Sequence, residues 1–177
     1  DMTAFRHPEL VSAHTTKHHK ALLRRAFRYA SGIVVPTNAV ADQVIEHYDF
    51  GDRVRVMSPA AAASIQLPGS EEAGDAIAES LGLPDEYIIT LASLHKRHGL
   101  AQLLKALGDK GLDGVKLVVV GPTERGEVTL DALVSESGID SERVVAVGVI
   151  TDEQLAVALQ RASALVVPSL SAGFGLP

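Results

Sequence analysis

Leu117-Val118-Val119-Val120 has no polar residue at any position, so a strand built from it must be covered on both faces. A strand with one wet face would alternate; this one does not. The pattern around it repeats. From Tyr87 onward the sequence predicts strands near 87–92, 116–120, 143–147 and 164–167, with helices near 99–107, 127–137 and 152–162 between them. Leu100, Leu103, Leu104 and Leu107 recur at i, i+3, i+4 and i+7, one apolar stripe of a helix. Thr151-Asp152-Glu153-Gln154 reads as a capping box, with the Thr151 hydroxyl reaching forward and the Gln154 amide reaching back. Strands and helices in strict alternation, joined by right-handed crossovers, give an α/β fold and half of a doubly wound parallel sheet.

The N-terminal third reads differently. Residues 1–10 are expected as loop, followed by a helix from about Ser12 to Ala30. Leu23, Phe27 and Ala30 share one face of it, and Lys17, Lys20, Arg24 and Arg28 another. Ile33-Val34-Val35 is a short buried strand, a helix follows over 38–47, and residues 54–57 form a second strand. Ser58-Pro59, four alanines and Pro68-Gly69-Ser70 mark a linker, and a helix over 71–81 closes at Gly82 and Pro84. The expected organisation is therefore one domain part over 1–57, linker and helix over 58–84, and a second domain part over 85–177. Charge divides in a similar way: residues 1–57 carry eight Lys/Arg against six Asp/Glu, and residues 58–177 carry eight against sixteen. Both parts are expected to be incomplete, because four apolar strands leave a sheet edge open and the chain stops after a glycine-rich turn.

Composition removes several classes of function. Aromatic residues make up 4% of the chain with no Trp, which disfavours a base-stacking surface, and the net charge of −6 disfavours nucleic-acid binding. Without cysteine there are no disulfides and no thiolate metal sites. No apolar run approaches the ~20 residues of a membrane span and no signal peptide opens the chain, so a cytoplasmic protein is expected. The seven histidines show no metal-ligand spacing, and neither a GxGxxG after the first strand of the 87–167 series nor a P-loop is present. No metal or dinucleotide cofactor is expected.

In open α/β sheets ligands bind at the carboxyl ends of strands, which points to three loops. His95-Lys96-Arg97-His98-Gly99 places cations at the start of a helix, against its dipole, an arrangement that makes sense around a bound phosphate; the alternative is a solvated basic turn. Gly121-Pro122 allows either close approach of a ligand or a plain tight turn. Pro168 to Pro177 sets two glycines around Phe174 at a strand-to-helix turn, with backbone N–H groups available to a phosphate or sugar. The Lys17–Arg28 face is either simply solvated or docks on an anionic membrane surface or a lipid-diphosphate acceptor.

Together these segments resemble a family. Residues 162–177, Ala-Ser-Ala-Leu-Val-Val-Pro-Ser-Leu-Ser-Ala-Gly-Phe-Gly-Leu-Pro, resemble A-x-x-x-V-x-P-S-x-x-E-G-F-G-L-P, the signature of the retaining glycosyltransferases of family four. Residues 91–99 resemble that family's G-T-L-E-P-R-K-G loop, and residues 147–155 its G-x-V-x-D-x-x-L turn. Asp1 to Glu9 resembles the stretch after the H-D-L segment of its acceptor domain. The likeness runs nearly end to end and is mannosyltransferase-like.

The resemblance implies a GT-B fold of two Rossmann-like domains, the second holding a nucleoside-diphosphate-sugar donor without a metal. It implies transfer of a hexose or deoxyhexose with retention to a glycan or lipid-linked acceptor, in the cytoplasm or peripherally at the inner membrane face. By position, Arg97 and His98, with Ser93 beside them, would meet the donor diphosphate. Gly121 would lie near the donor, Gly148 and Val149 near the nucleobase. Gly173, Phe174, Gly175 and Leu176 would bring N–H groups to sugar and phosphate.

Three residues depart from the family. Ala92 stands where it has Gly, and His98 where it has Lys. Ala172 stands where it has the Glu that contacts the donor sugar. That Glu is the first of a pair spaced eight apart, and the second position lies beyond Pro177. A methyl group accepts no hydrogen bond from the sugar. The resemblance therefore implies a glycosyltransferase whose chain, as written, is not catalytically competent. The alternative is a degenerate nucleotide-sugar-binding or assembly subunit of the same fold.

Overall fold

A computed structural model of the chain describes residues 1–175 and divides them into two units. The first comprises Asp1–Ala60 and the described residues from Leu170 on; the second comprises Ala61–Ser169.

In the first unit, α1 (Thr3–Arg6) and a 3-10 turn (Pro8–Leu10) lead into α2 (Ala13–Tyr29). The loop expected over residues 1–10 is thus mostly helical. Met2, Thr3 and Ala4 are buried, and closing the backbone into a turn satisfies their peptide groups, which water no longer reaches. β1 (Ile33–Val35), α3 (Asn38–His47) and β2 (Val54–Val56) follow, the strands pairing in parallel with Ile33 opposite Val54. Val35, Val40, Ala41, Val44 and Phe50 form the core, and the Phe27 ring lies 5.3 Å from those of both Tyr48 and Phe50. Arg53 donates to the carbonyls of Phe27 (3.2 Å) and Ala30 (3.0 Å), closing the C-terminal end of α2. α2 has five Lys/Arg, no acidic residue and no buried residue.

The second unit opens with α4 (Glu71–Ser80), which packs against the last helix of the unit. β3 (Ile88–Leu91), α5 (Leu100–Leu107) and β4 (Leu117–Val120) come next. Then follow a hairpin of β5 (Glu124–Arg125) and β6 (Val128–Thr129), α6 (Leu130–Ser137), β7 (Val144–Gly148), α7 (Asp152–Arg161) and β8 (Ala164–Leu165). Helix α6 begins three residues later than its predicted start because the hairpin occupies them. The four long-range strands pair in parallel in the order β7-β4-β3-β8.

The apolar run 117–120 is buried at every position. Leu117 and Val119 face Leu100, Leu103, Leu104 and Leu107 of α5 and Leu130 and Val134 of α6. Val118 and Val120 face Ala158, Leu155 and Leu159 of α7 on the other side. The capping box forms as read: Gln154 N–H donates to Thr151 Oγ1 (3.3 Å), and Thr151 N–H to Gln154 Oε1 (2.9 Å). β8 is shorter than the 164–167 run, although Val166 N–H still donates to the Ile89 carbonyl at 2.8 Å.

Candidate functional site

Counted along the second unit, β3, β4, β7 and β8 are strands one to four, and their spatial order is 3-2-1-4. The order reverses between β3 and β8. The crevice at the carboxyl ends of those two strands is where an open α/β sheet accommodates ligands, because the flanking connections leave toward opposite faces.

The loop leaving β3 carries the cations. Ala92 and Leu94 are buried against the α5–α6 side, which anchors the loop at its start. Lys96–His98 form a 3-10 turn whose entry is capped by His95: its Nδ1 accepts from Arg97 N–H at 3.2 Å. Gly99 then takes φ +69 and starts α5, and no side chain caps the N–H groups of that first turn. Gly99 also meets the chain leaving β8. A Cβ there would fall well inside the 3.0 Å that real Cβ atoms keep from other heavy atoms, against the carbonyl oxygen of Pro168. The two sides of the crevice are therefore in backbone contact, which only a residue without a side chain permits.

Arg97 Nε donates to His98 Nε2 at 3.3 Å, so that nitrogen serves as an acceptor and the ring is neutral. Burial lowers the pKa of His98 below its ordinary 6.5, and the charges of Arg97, His95 and Arg125 lower it further. His95 is lowered as well, by burial and then by Arg125 and Arg97. Both imidazoles thus sit where burial and a positive field favour the neutral ring.

Gly121 follows β4 at φ +135, a region that L-residues with side chains avoid; a Cβ there would overlap the carbonyl oxygen of Ala92. Its N–H donates to the Gly148 carbonyl at 2.8 Å, and Ala92 N–H donates to Val120 at 3.0 Å. Gly121 thereby joins the ends of β3, β4 and β7. Of the two readings of Gly121-Pro122, the packing accounts for the tight turn. Ala92 fits where the resembled family has Gly because its methyl is buried in the core. Beyond β7, Gly148 takes φ +70 and Val149 is 82% exposed. Ser93, Arg97, His98, Gly121, Gly148 and Val149 thus all lie at the carboxyl edge of one sheet.

The glycine-rich turn packs within the first unit. Thr37, the N-cap of α3, donates its hydroxyl to the Gly173 carbonyl at 3.1 Å, and the Thr3 and Ser171 hydroxyls pair at 2.8 Å. A Cβ on Gly173 would stand 3.0 Å from Asp1 Cβ and 3.2 Å from its Cα. Ala172, Phe174 and Gly175 are exposed, and Leu176 lies outside the described residues. Sequence reasoning did not single out Thr3, Thr37 or Arg125. Thr37 had a local signal, an N-cap residue ahead of a helix; the other two had none. Among the described residues no three of His, Cys, Asp and Glu gather as a metal site.

A family model described as "Glycosyl transferases group 1" matches residues 75–177. The serotype-specific mannosyltransferase WbdA of Escherichia coli is 27% identical over 157 residues, covering 85% of this chain and 19% of that protein. The chain therefore spans about a fifth of the length of the curated relatives it matches. Among solved structures, the sucrose-phosphate synthase of Thermosynechococcus elongatus aligns with TM-score 0.72 at 22% identity, over 98% of this chain and 43% of that one. Anabaena Alr3699/HepE in complex with UDP and glucose aligns at 0.67 and 18%, over 94% and 45%. WaaG, a glycosyltransferase involved in lipopolysaccharide biosynthesis, aligns at 0.69 and 18%, over 92% and 45%.

Proposed function

The chain belongs to the group 1 glycosyl transferases and has their α/β fold of GT-B type, and from that premise we propose that its second unit binds the diphosphate of a nucleoside-diphosphate sugar. The observation that carries this reading is the loop 95–99: cations gathered at the switch point, beside an uncapped helix start. Arg97 and the N–H groups of α5 neutralise the phosphate oxygens, Ser93 and His98 lie beside them, and the Gly121 turn lets the backbone pass close. Gly148 and Val149 receive the base. Neighbours of the same fold were solved with UDP and with UDP-glucose, and the curated relative is described as a mannosyltransferase.

The reaction is transfer of a hexose or deoxyhexose, with retention, to a glycan or lipid-linked acceptor. The bond from the anomeric carbon to the diphosphate breaks and a bond to an acceptor hydroxyl forms. Charge accumulating on the departing diphosphate is answered by cations and backbone N–H groups, so no metal is needed. Ala172 supports a second reading, in which the cleft binds donor without turnover as a degenerate or assembly subunit.

Calorimetry with UDP, GDP, ADP and dTDP tests the binding step. One of them is expected to bind with a dissociation constant between about 1 μM and 1 mM, and no heat with any of the four would sink the reading. With a matching nucleotide sugar, turnover that appears only in Ala172→Glu identifies the lost carboxylate as the chemical deficit. Binding without turnover in either form selects the subunit reading.

The acceptor side offers a basic helix. Pro8, Val11, Thr16, Lys17, Lys20 and Arg24 line a groove beside α2, with apolar and cationic side chains together. Among the described residues no helix is long and apolar enough to cross a membrane. Lys17, Lys20, Arg24 and Arg28 would instead hold the protein peripherally at the cytoplasmic face of an anionic membrane, each contributing about 1 kcal/mol. Lys20→Glu with Arg24→Glu is therefore expected to abolish sedimentation with phosphatidylglycerol vesicles. Equal sedimentation of the variant, or of the parent with phosphatidylcholine vesicles alone, excludes the electrostatic contact.

A further inference from the structure

The hairpin β5–β6 has no role in the core. None of its four strand residues is buried, and it interrupts the connection from β4 to α6 where a direct turn would suffice. It is nevertheless well formed: Glu124 pairs with Thr129 and Arg125 with Val128, Gly126 turns the chain at φ +60, and Leu130 N–H donates to the Thr123 carbonyl at 2.9 Å to close its base. That base is fixed in place. Gly121, two residues before Thr123, presses on the Ala92 carbonyl at the root of the cation loop, so the hairpin grows from the point where β3 and β4 end side by side.

We propose that Arg125 is a further anion-binding residue of the donor site, delivered by this hairpin to the phosphate group of the donor that Arg97 does not hold.

This rests on the diphosphate reading of the loop 95–99 and deepens it. The hairpin is rooted beside that loop, and the charge of Arg125 is among the causes that, after burial, lower both His95 and His98. Glu124 and Glu127 flank it in sequence, yet among the described residues it forms no ion pair with either. Like charges brought together from two separate connections repel each other, and the exposed side chains of Lys96 and Arg125 gain no core contacts in return. A ligand with two linked anionic groups removes that repulsion and bridges both arms. A nucleoside diphosphate has that chemistry and a monophosphate has half of it.

The test is calorimetry on the parent chain, Arg125→Gln, Arg125→Lys and, as a charge control, Lys105→Gln, with whichever of UDP, GDP, ADP and dTDP the parent binds against the matching monophosphate. Arg125→Gln is expected to weaken the diphosphate about tenfold and the monophosphate less than twofold, with Arg125→Lys recovering part of the loss and Lys105→Gln unchanged. Proton NMR gives a readout independent of binding: the His95 and His98 titrations both move up in Arg125→Gln. Should the parent bind none of UDP, GDP, ADP and dTDP, the diphosphate reading itself fails. If the parent binds and Arg125→Gln binds equally well, or loses mono- and diphosphate alike, Arg125 has no such role and only this inference falls.

Discussion

Gly99→Ala is expected to destabilise the second unit by about 4 kcal/mol. Two costs combine. An alanine at φ +69 loses roughly 1–2 kcal/mol to its own backbone. The added Cβ also meets the Pro168 carbonyl, and overpacking of this kind costs about 1–3 kcal/mol. Neither partner gives way easily, because one begins α5 and the other continues the strand paired with β3. Gly82→Ala supplies the comparison: it shares the left-handed backbone at φ +62 but has nothing within 4 Å of its would-be Cβ, so it isolates the first cost at about 1 kcal/mol. Urea midpoints for both variants decide the matter. Equal losses would mean that the backbones on either side of the crevice do not touch as described.

Arg97→Ala is expected to weaken nucleoside-diphosphate binding by about ten- to a hundredfold, the ~1.5–3 kcal/mol carried by a hydrogen bond to a charged group. The same side chain holds the proton balance of the loop. In the free protein His95 and His98 lie below the ordinary 6.5, so both rings are neutral at pH 7. An arriving diphosphate raises both pKa values, so the complex holds more protons than the free protein. Binding must then take up protons and tighten as pH falls from 7 toward the depressed pKa values. Removing Arg97 lifts His98 before any ligand arrives, and the pH dependence should flatten. Calorimetry in two buffers of different ionisation enthalpy measures the uptake directly. An affinity indifferent to both pH and Arg97 would remove the phosphate from this loop.

His98 and Ala172, two of the three departures from the resembled pattern, differ in consequence. A lysine at position 98 would be charged throughout, whereas the imidazole becomes a cation only when an anion is present. On the diphosphate reading proposed above, that change would keep the site usable and make it sensitive to pH. The methyl of Ala172 has no comparable substitute.

Much of the second unit was legible because its elements announce themselves locally. Four apolar residues in a row at 117–120, leucines at helical spacing in α5 and the Thr151–Gln154 box each lie within a dozen residues of chain, and local sterics and hydrogen bonding suffice to shape them. The hairpin β5–β6 and helix α1 were not legible. Two-residue strands show no period, and a four-residue helix such as α1 forms because Met2 and Ala4 find a core, not because its residues favour helix.

The candidate site divides along the same line. The residue types at 95–99 already offered two readings, a bound phosphate or a solvated basic turn, since cations at a helix start oppose its dipole. Nothing in the sequence told that Gly99 would come against Pro168 or Gly121 against Ala92. Those are approaches between segments dozens of residues apart. Sequence by itself determined the alternation of elements, the buried sheet and the chemistry available in each loop. Only the tertiary structure decided the strand order 3-2-1-4, and with it which loops flank the crevice, because pairing between distant strands is settled by the packing of the whole sheet.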